Sequence, residues 1–313
     1  LLGVVTLSLA WMTDSRMMLI ARFIQGCLLP VIMTAVMSRL SAQGDHRGRQ
    51  LITYYLCSTV IGGLFGRLVM GHITDMYDDH TAWVIWGGSL LILSILLVIH
   101  RSPMIAYNAH KSSLSQLEKA LNLPTVIPTL LCGAMMFGVF SAALNLLPLR
   151  ALELNLGGGS SAVSHRYGGY LIGAIISLSA RSIDQALGGR GRAPALGMIV
   201  MSIGLYWGSV ETVYAPLSGM VLLLCAGLFM THPLLAAHIT QISPQERGLM
   251  SGLYVSSYYL GGALCSSLFS GCYERYGWTI SLGLLALLSL LGALFAALSL
   301  KSIKGSLRVE VRG

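Results

Sequence analysis

Charged residues are scarce in this sequence of 313 residues: they make up 10% of it, whereas hydrophobic residues make up 55%. Soluble domains carry roughly 25% charged residues, so this chain has too few charges to cover the surface of a soluble fold of its size. Its mean hydropathy of +0.73 points the same way. The sequence therefore predicts an all-α membrane protein whose outer surface faces lipid.

Metal-binding and catalytic motifs are also missing. The sequence has no H-E-x-x-H, no G-x-S-x-G and no paired-aspartate motif, and its six cysteines form no C-x-x-C pair. Residues 157–161 are rich in glycine and serine but lack the lysine of a phosphate-binding loop. We therefore expect no metal, no cofactor and no enzymatic activity, and we disfavour an ATP-driven pump.

Ten apolar stretches can be marked along the chain, and most are long enough to cross a hydrocarbon core of about 30 Å at about 1.5 Å per residue. They lie near residues 1–12, 17–40, 50–73, 82–100, 125–149, 166–187, 193–210, 215–241, 249–272 and 279–300. The first is too short to span and begins at Leu1 without an initiator methionine. We expect the chain to be N-terminally truncated within a helix.

Basic residues are distributed unevenly between alternate loops. One set of loops holds 14 of the 20 lysines and arginines, the other set holds four, and the remaining two, Arg22 and Arg67, fall within helices. The positive-inside rule places the richer set, with the C-terminus, in the cytoplasm. This asymmetry explains the net charge of +8 without a nucleic-acid partner.

The sequence also contains an internal repeat at an offset of about 200 residues, which is typical of transporters built from duplicated helix bundles. The first copy comprises Arg47-Gly48, Tyr54, Tyr55, Gly62-Gly63 and Gly71, and the second comprises Arg247-Gly248, Tyr254, Tyr258-Tyr259, Gly261-Gly262 and Gly271.

Four domains follow from the repeat and the loops. We predict an incomplete N-terminal bundle over 1–100, a cytoplasmic central loop with a short helix over 101–124, a six-helix bundle over 125–300 and a basic cytoplasmic tail over 301–313. If the two bundles are equivalent, two helices and part of a third precede Leu1.

Several short motifs carry a resemblance to the major facilitator superfamily, and within it to the YnfM-type bacterial inner-membrane transporters. They are Arg22-x-x-Gln25-Gly26, Gly62-Gly63-x-x-Gly66-Arg67 with Gly71, Ser256-Ser257-Tyr258-Tyr259-Leu260-Gly261, and Tyr276-Gly277-Trp278. The resemblance implies the superfamily's two-bundle fold, with about ten helices that correspond to helices three to twelve of twelve.

The same resemblance implies a function. The expected protein is a secondary active transporter of small organic solutes, a proton-coupled exporter that works by alternating access as a monomer in the bacterial inner membrane. Antiporters of the family usually have Gly-Pro where this chain has Gly66-Arg67, and this difference weakens the prediction of antiport. The alternatives are a membrane-embedded enzyme and an inactive truncated remnant of a transporter.

Seven residues are candidates for a substrate or proton pathway, because each places a polar or aromatic group within an apolar helix. They are Arg22, Gln25, Tyr54, Asn145, His232, Tyr254 and Tyr258. Each also has a purely structural interpretation. Arg22 can snorkel outward or join two helices, the tyrosines can form a helix seam, and Asn145 and His232 can bond to neighbouring helices.

Two further groups are candidates for structural roles in packing and gating. The helix-packing group, where small residues let helices approach closely, comprises Gly62, Gly63, Gly66, Arg67, Gly71, Asp75, Gly261 and Gly262. The cytoplasmic loop motif between two C-terminal helices comprises Asp184, Gly189, Arg190 and Arg192. For Arg67 and Asp75 an interfacial ion pair is favoured over a substrate contact.

No carboxylate lies in the middle of an apolar stretch, because all 12 aspartates and glutamates fall in loops, at helix ends or in the tail. Proton-coupled transporters usually carry such an embedded group. The proton site therefore lies upstream of Leu1, or His232 serves in its place, or transport is uncoupled. The sequence leaves these alternatives open.

Overall fold

The structure is a computed structural model that describes residues 1–41, 43, 45–100, 114–154, 169–189, 192–210, 214–243 and 246–301. Within these ranges the chain forms α-helices joined by short turns and contains no β-strand, which confirms the all-α prediction. The proposed tail from residue 302, most of the central loop and Arg190 lie outside the described residues.

The helices follow the predicted apolar stretches closely. Their bounds are α1 Leu2–Ser8, α2 Ser15–Ser41, α3 Asp45–Met76, α4 Asp79–Ile99, α5 Leu114–Leu121, α6 Val126–Glu153, α7 Gly169–Ala186, α8 Arg192–Val210, α9 Tyr214–Ile242 and α10 Arg247–Lys301. A 3₁₀ turn over Leu9–Trp11 extends α1. The short helical pattern predicted in the central loop is α5.

The last two apolar stretches differ from the expectation of separate helices. Helical hydrogen bonding runs through the predicted polar break, and the chain changes direction only at Gly277, whose φ of 76° and ψ of −176° are not helical. A positive φ of this size favours glycine, because glycine has no Cβ to clash with the backbone. Beside it, the indole Nε1 of Trp278 donates a hydrogen bond of 2.7 Å to the Gly208 carbonyl and ties this bend to α8.

Seven helices in the described part of the chain are long and apolar enough to cross a membrane. The last of them covers 53 residues, Arg247–Ser299, about twice the length that one crossing needs. Since Gly277 interrupts it, the two halves of α10 each have the length of one crossing. This architecture is that of an all-α membrane protein.

The helices pack as two groups. Helices α1 to α4 contact one another, as do helices α6 to α10, and the largest contact joins α6 to α10. The groups meet where α2 touches α10 and where α3 touches α7 and α9. Most fully buried large side chains, such as Met136, Leu224 and Tyr254, belong to the second group. The core therefore sits mainly in α6 to α10, and a junction runs between the groups.

The start of α4 is fixed by a side-chain cap. The carboxylate of Asp78 accepts a hydrogen bond of 2.6 Å from the backbone N–H of Thr81. Hydrogen bonding by Thr81 holds the pKa of Asp78 below its usual value. Asp78 thereby satisfies one of the N–H groups that the first turn of a helix leaves without an intrahelical partner.

Candidate functional site

A cavity of about 450 Å³ lies at the junction of the two helix groups. A volume of this size suits a small organic ligand. Both groups contribute to its wall, which is made by Leu29, Ile32, Met33, Tyr55, Thr59, Val60, Gly63, Arg67, Phe137, Phe140, Ser141, Leu144, Asn145, Tyr170, Ser177, Leu228, Phe229, His232, Tyr258 and Tyr259. We refer to it below as the junction cavity.

One face of α3 supplies the first group's longest stripe in the cavity. Tyr55, Thr59, Gly63 and Arg67 line it, and they follow one another at intervals of four residues. Residues at this spacing lie on one side of a helix, and twelve residues rise about 18 Å. The cavity is therefore elongated along α3, with Tyr55 at one end of the stripe and Arg67 at the other.

Arg67 is the charged residue of this wall, and the wall contains no carboxylate. Its guanidinium carbon lies 5.2 Å from the centre of the Tyr170 ring. Its Nη1 donates a hydrogen bond of 3.2 Å to the Gly63 carbonyl. An arginine in the middle of a membrane helix costs about 2.5–3.5 kcal/mol on insertion scales, so a position facing a cavity is more favourable than one facing lipid.

Aromatic rings of α6, α7, α9 and α10 make a large part of the cavity wall. Phe137 of α6 stacks on Tyr258 with centroids 3.9 Å apart and an angle of 13° between the planes. Phe140 lies 5.9 Å from Tyr170 and 6.4 Å from Phe229, both at steep angles. These rings give the cavity apolar faces that suit flat groups.

His232 and Tyr254 form a hydrogen-bonded pair at the edge of the cavity. The Nδ1 of His232 lies 2.8 Å from the Tyr254 hydroxyl, and the two rings are 5.6 Å apart and nearly parallel. His232 also lies 4.9 Å from the ring of Tyr258. Tyr254 itself is fully buried. Of the residues predicted from the sequence, His232 and Tyr258 line the cavity, and Tyr254 holds His232 through the hydrogen bond between them.

Asn145 lines the cavity too, and it bonds to a neighbouring helix. Its Nδ2 donates a hydrogen bond of 3.0 Å to Ser266 Oγ, which also lies 2.9 Å from Ser141 Oγ. This cluster connects α6 to α10 through polar side chains. Asn145 therefore bonds to a neighbouring helix, as the structural interpretation of the sequence expected. Because it also lines the cavity, it is in a position to contact a bound ligand.

Arg22 and Gln25 lie outside the cavity wall. Arg22 is placed over the ring of Trp83 at 4.6 Å and donates a hydrogen bond of 3.2 Å to Gln25 Oε1. The buried Gln25 donates through Nε2 to Thr6 Oγ1 at 2.8 Å. These contacts join α1, α2 and α4, so in this structure the pair links helices within the first group.

Tyr54 also lies outside the cavity, and its neighbour Tyr55 lines it instead. Tyr54 is 55% exposed and accepts a hydrogen bond of 2.8 Å from Gln50. Gly261-Gly262 follow Gly62-Gly63 by 199 residues, whereas Arg247, Tyr254 and Gly271 follow Arg47, Tyr54 and Gly71 by 200. At the glycine offset of 199 residues, Tyr55 corresponds to Tyr254 and Thr59 to Tyr258.

The glycines of the two repeats differ in their surroundings. A Cβ on Gly261 would collide with the backbone of Ala134, and one on Gly262 would lie 2.6 Å from the Phe137 ring. On Gly66 it would lie 2.9 Å from the Trp86 ring, whereas Gly62 and Gly71 have nothing within 4 Å. Gly63 lines the cavity, and Asp75 is exposed near the end of α3.

The described residues of the loop motif, Asp184, Gly189 and Arg192, lie where α7 ends and α8 begins. Gly188 and Gly189 have positive φ values of 86° and 66°, which explains why glycine is needed there. The carboxylate of Asp184 accepts a hydrogen bond of 3.1 Å from the N–H of Ala193, and Arg192 donates one of 2.8 Å to the Leu187 carbonyl. Asp184 and Arg192 therefore connect the end of α7 to the start of α8.

Sequence reasoning missed several residues of the cavity: Tyr55, Phe137, Phe140, Tyr170, Phe229 and Tyr259. The 199-residue offset would have identified Tyr55. The others are apolar or aromatic residues in apolar helices, and a single sequence cannot separate a cavity wall from a packed core. Among the described residues no three His, Cys, Asp or Glu side chains are grouped as metal ligands would be.

Comparisons with known proteins agree with this architecture. A family model described as Major Facilitator Superfamily matches residues 1–210. An uncharacterized transporter from Buchnera aphidicola subsp. Baizongia pistaciae (strain Bp) is 24% identical over 231 residues, which are 71% of this chain and 55% of that protein. The chain thus spans about half the length of the curated relative that it matches.

Proposed function

This chain belongs to the major facilitator superfamily, and on that premise we propose that it forms part of a secondary active transporter of small organic solutes. The junction cavity is the observation that carries the proposal. Helices of both groups line it, so a ligand bound there contacts both groups. Rocking of the groups about such a ligand is the movement that alternating access requires.

We further propose a direction and a coupling ion: export driven by protons in a bacterial inner membrane, with the C-terminus in the cytoplasm. The uneven distribution of basic residues supports the orientation. His232 supports the coupling, since it lies in the cavity wall and the wall has no carboxylate. An imidazole is the side chain whose ordinary pKa lies closest to physiological pH.

A flux assay tests the transporter. The full-length protein is reconstituted into proteoliposomes, a proton gradient is imposed, and movement of a panel of organic solutes is followed. We expect gradient-dependent flux of at least one solute. Ligand binding without flux under any gradient would contradict the transporter proposal.

Two histidine variants test the coupling. In His232→Gln the polar contact to Tyr254 can be kept, but the proton site is lost, so we expect solute exchange to persist and proton-driven accumulation to fail. His72→Gln is the matched control, because His72 is an exposed histidine of α3 that does not line the cavity. Unchanged accumulation by His232→Gln would remove His232 as the coupling site.

A further inference from the structure

One stripe of α6 in the wall of the junction cavity changes from aromatic to polar along the helix. Phe137, Ser141 and Asn145 line the cavity, and they follow one another at intervals of four residues. Residues at this spacing share one face of a helix. Asn145 is exposed although it belongs to an apolar helix, so a solute in the cavity can reach its amide.

The amide of Asn145 is held by a residue that is not part of the wall. Its Nδ2 donates a hydrogen bond of 3.0 Å to Ser266 Oγ of α10. The same oxygen of Ser266 lies 2.9 Å from Ser141 Oγ, so α6 contacts Ser266 through two polar groups. Because the nitrogen end of the amide is directed at Ser266, the carbonyl oxygen Oδ1 is the atom that this contact leaves for a solute.

The chemistry of an amide oxygen determines which solutes gain from it. Oδ1 of Asn145 is an acceptor with two lone pairs, so it binds hydroxyl and N–H groups and repels the oxygen of an ether. A site that bonds to an OH or N–H group of its ligand discriminates against analogues that lack the group, because its own polar atom is then left without a partner.

The aromatic end of the stripe suits the apolar part of such a solute. Phe137 stacks on Tyr258 with centroids 3.9 Å apart, and both rings are half-buried and line the cavity. Eight residues separate Phe137 from Asn145, which is a rise of about 12 Å along α6. A solute that carries its donor at the edge of a ring system can therefore place the donor at Asn145 and the rings toward Phe137.

From these observations we infer that the junction cavity binds aromatic solutes that carry a hydroxyl or N–H donor, with the donor on Asn145 Oδ1 and the ring toward Phe137 and Tyr258. Ser266 is a positioning residue, because it holds the amide without lining the cavity. The contact joins neutral groups and requires no charge on the solute. The inference rests on the proposed transport function and names its substrate class.

Two probes of nearly the same shape test the donor requirement on the purified full-length protein. Indole has an N–H donor where benzofuran has an ether oxygen, and both are neutral. Affinity is measured by equilibrium dialysis of the protein in lipid nanodiscs, with empty nanodiscs of the same lipids as the blank. We expect indole to bind at least about fivefold more tightly, as one neutral hydrogen bond implies. Equal or tighter binding of benzofuran would overturn the inference, since an N–H group of the wall would then serve the ligand instead.

A variant of Asn145 tests the position of the contact. Asn145→Leu removes the amide at similar size, so we expect indole binding to weaken at least about fivefold and benzofuran binding to stay the same. Asn122→Leu is the matched control, because Asn122 is exposed and is not part of the cavity wall. A folded Asn145→Leu protein that still prefers indole as the wild type does would contradict the role of Asn145. If this variant does not fold, the comparison of the two probes on the wild type and the serine variants below decide the inference.

Variants of Ser266 test its positioning role. Ser266→Ala frees the amide to rotate, so the preference for indole over benzofuran should fall, and Ser266→Thr, which keeps the hydroxyl, should restore it. Ser267→Ala is the control, because Ser267 is the exposed neighbour of Ser266 on α10 and is not part of the wall. A purely structural effect would weaken both probes equally, and an equal loss would contradict the positioning role.

The transport proposal is judged separately from the substrate class. Flux of some solute by a protein that shows no preference for indole over benzofuran refutes the substrate class alone. A clear preference for indole, without flux of any solute under any gradient, refutes transport alone.

Discussion

The pair of His232 and Tyr254 joins α9 to α10 through polar atoms at the edge of the junction cavity. Its hydrogen bond of 2.8 Å satisfies two groups that would otherwise be buried in an apolar environment. Tyr254 is thus a supporting residue, although it does not itself line the cavity. Removing its hydroxyl changes the polar contact while leaving the ring in place.

We predict that Tyr254→Phe destabilises the protein by about 1–3 kcal/mol, because His232 Nδ1 loses its partner. Thermal unfolding in detergent measures the change. Tyr206→Phe is the control, because Tyr206 is 66% exposed and its hydroxyl is therefore not enclosed by the protein. A Tyr254→Phe protein as stable as the control variant would show that another group, such as water, satisfies His232.

At the scale of the helix, corresponding glycines of the two repeats have different surroundings. In α10, Gly261 allows close contact with the backbone of α6. In α6, Gly138 lies against the Gly261 carbonyl, and a Cβ on Gly138 would come within 2.9 Å of that oxygen. In α3 the corresponding Gly62 has open space around it. The same residue type is therefore required by packing in one helix and free of that requirement in the other.

This asymmetry predicts opposite outcomes for a matched pair of substitutions. Gly261→Ala should lower stability by about 1–3 kcal/mol, since the methyl group forces α6 and α10 apart. Gly62→Ala should leave stability unchanged or raise it slightly, because alanine is the better helix former. Melting temperatures of the two variants measure the difference, and equal values would contradict the close α6–α10 contact.

For the molecule as a whole, the junction between the two helix groups decides access to the cavity. Tyr259 of α10 donates a hydrogen bond of 2.6 Å from its hydroxyl to Met33 Sδ of α2. Nearby, a Cβ on Gly252 would lie 3.8 Å from Thr34 Cγ2. These contacts join α2 to α10 across the junction, so we expect them to break if the two groups rock.

A disulfide across this contact should block transport. A Cβ on Gly252 would lie 3.8 Å from Thr34 Cγ2 and more than 4 Å from Thr34 Cβ, so the Cβ separation lies near or above the upper end of the range of about 3.5–4.5 Å in disulfides. We predict that the double variant Thr34→Cys/Gly252→Cys cross-links under mild oxidation and loses flux, and that reduction restores it. The two single variants control for the native cysteines. Full flux by a fully cross-linked protein would show that this contact does not open during transport.

The sequence by itself determined the class of the protein and the approximate positions of most of its helices. Scarce charge and long apolar stretches permit only a membrane protein, because the bilayer requires helices of a given length whose backbone groups bond internally. The same reasoning found His232, Tyr258 and Asn145, because polar groups in apolar helices stand out from their neighbours.

Only the tertiary structure decided which side chains meet. Tyr55 rather than Tyr54 lines the cavity, Arg67 faces it, and Arg22 instead contacts Trp83, because rotation about each helix axis is set by packing against other helices. The sequence around aromatic residues such as Phe137 and Tyr170 does not indicate that they line a cavity. Phe137 contacts Tyr258, and Tyr170 contacts Arg67, so their positions in the cavity depend on residues far away in the sequence, which hydropathy does not report.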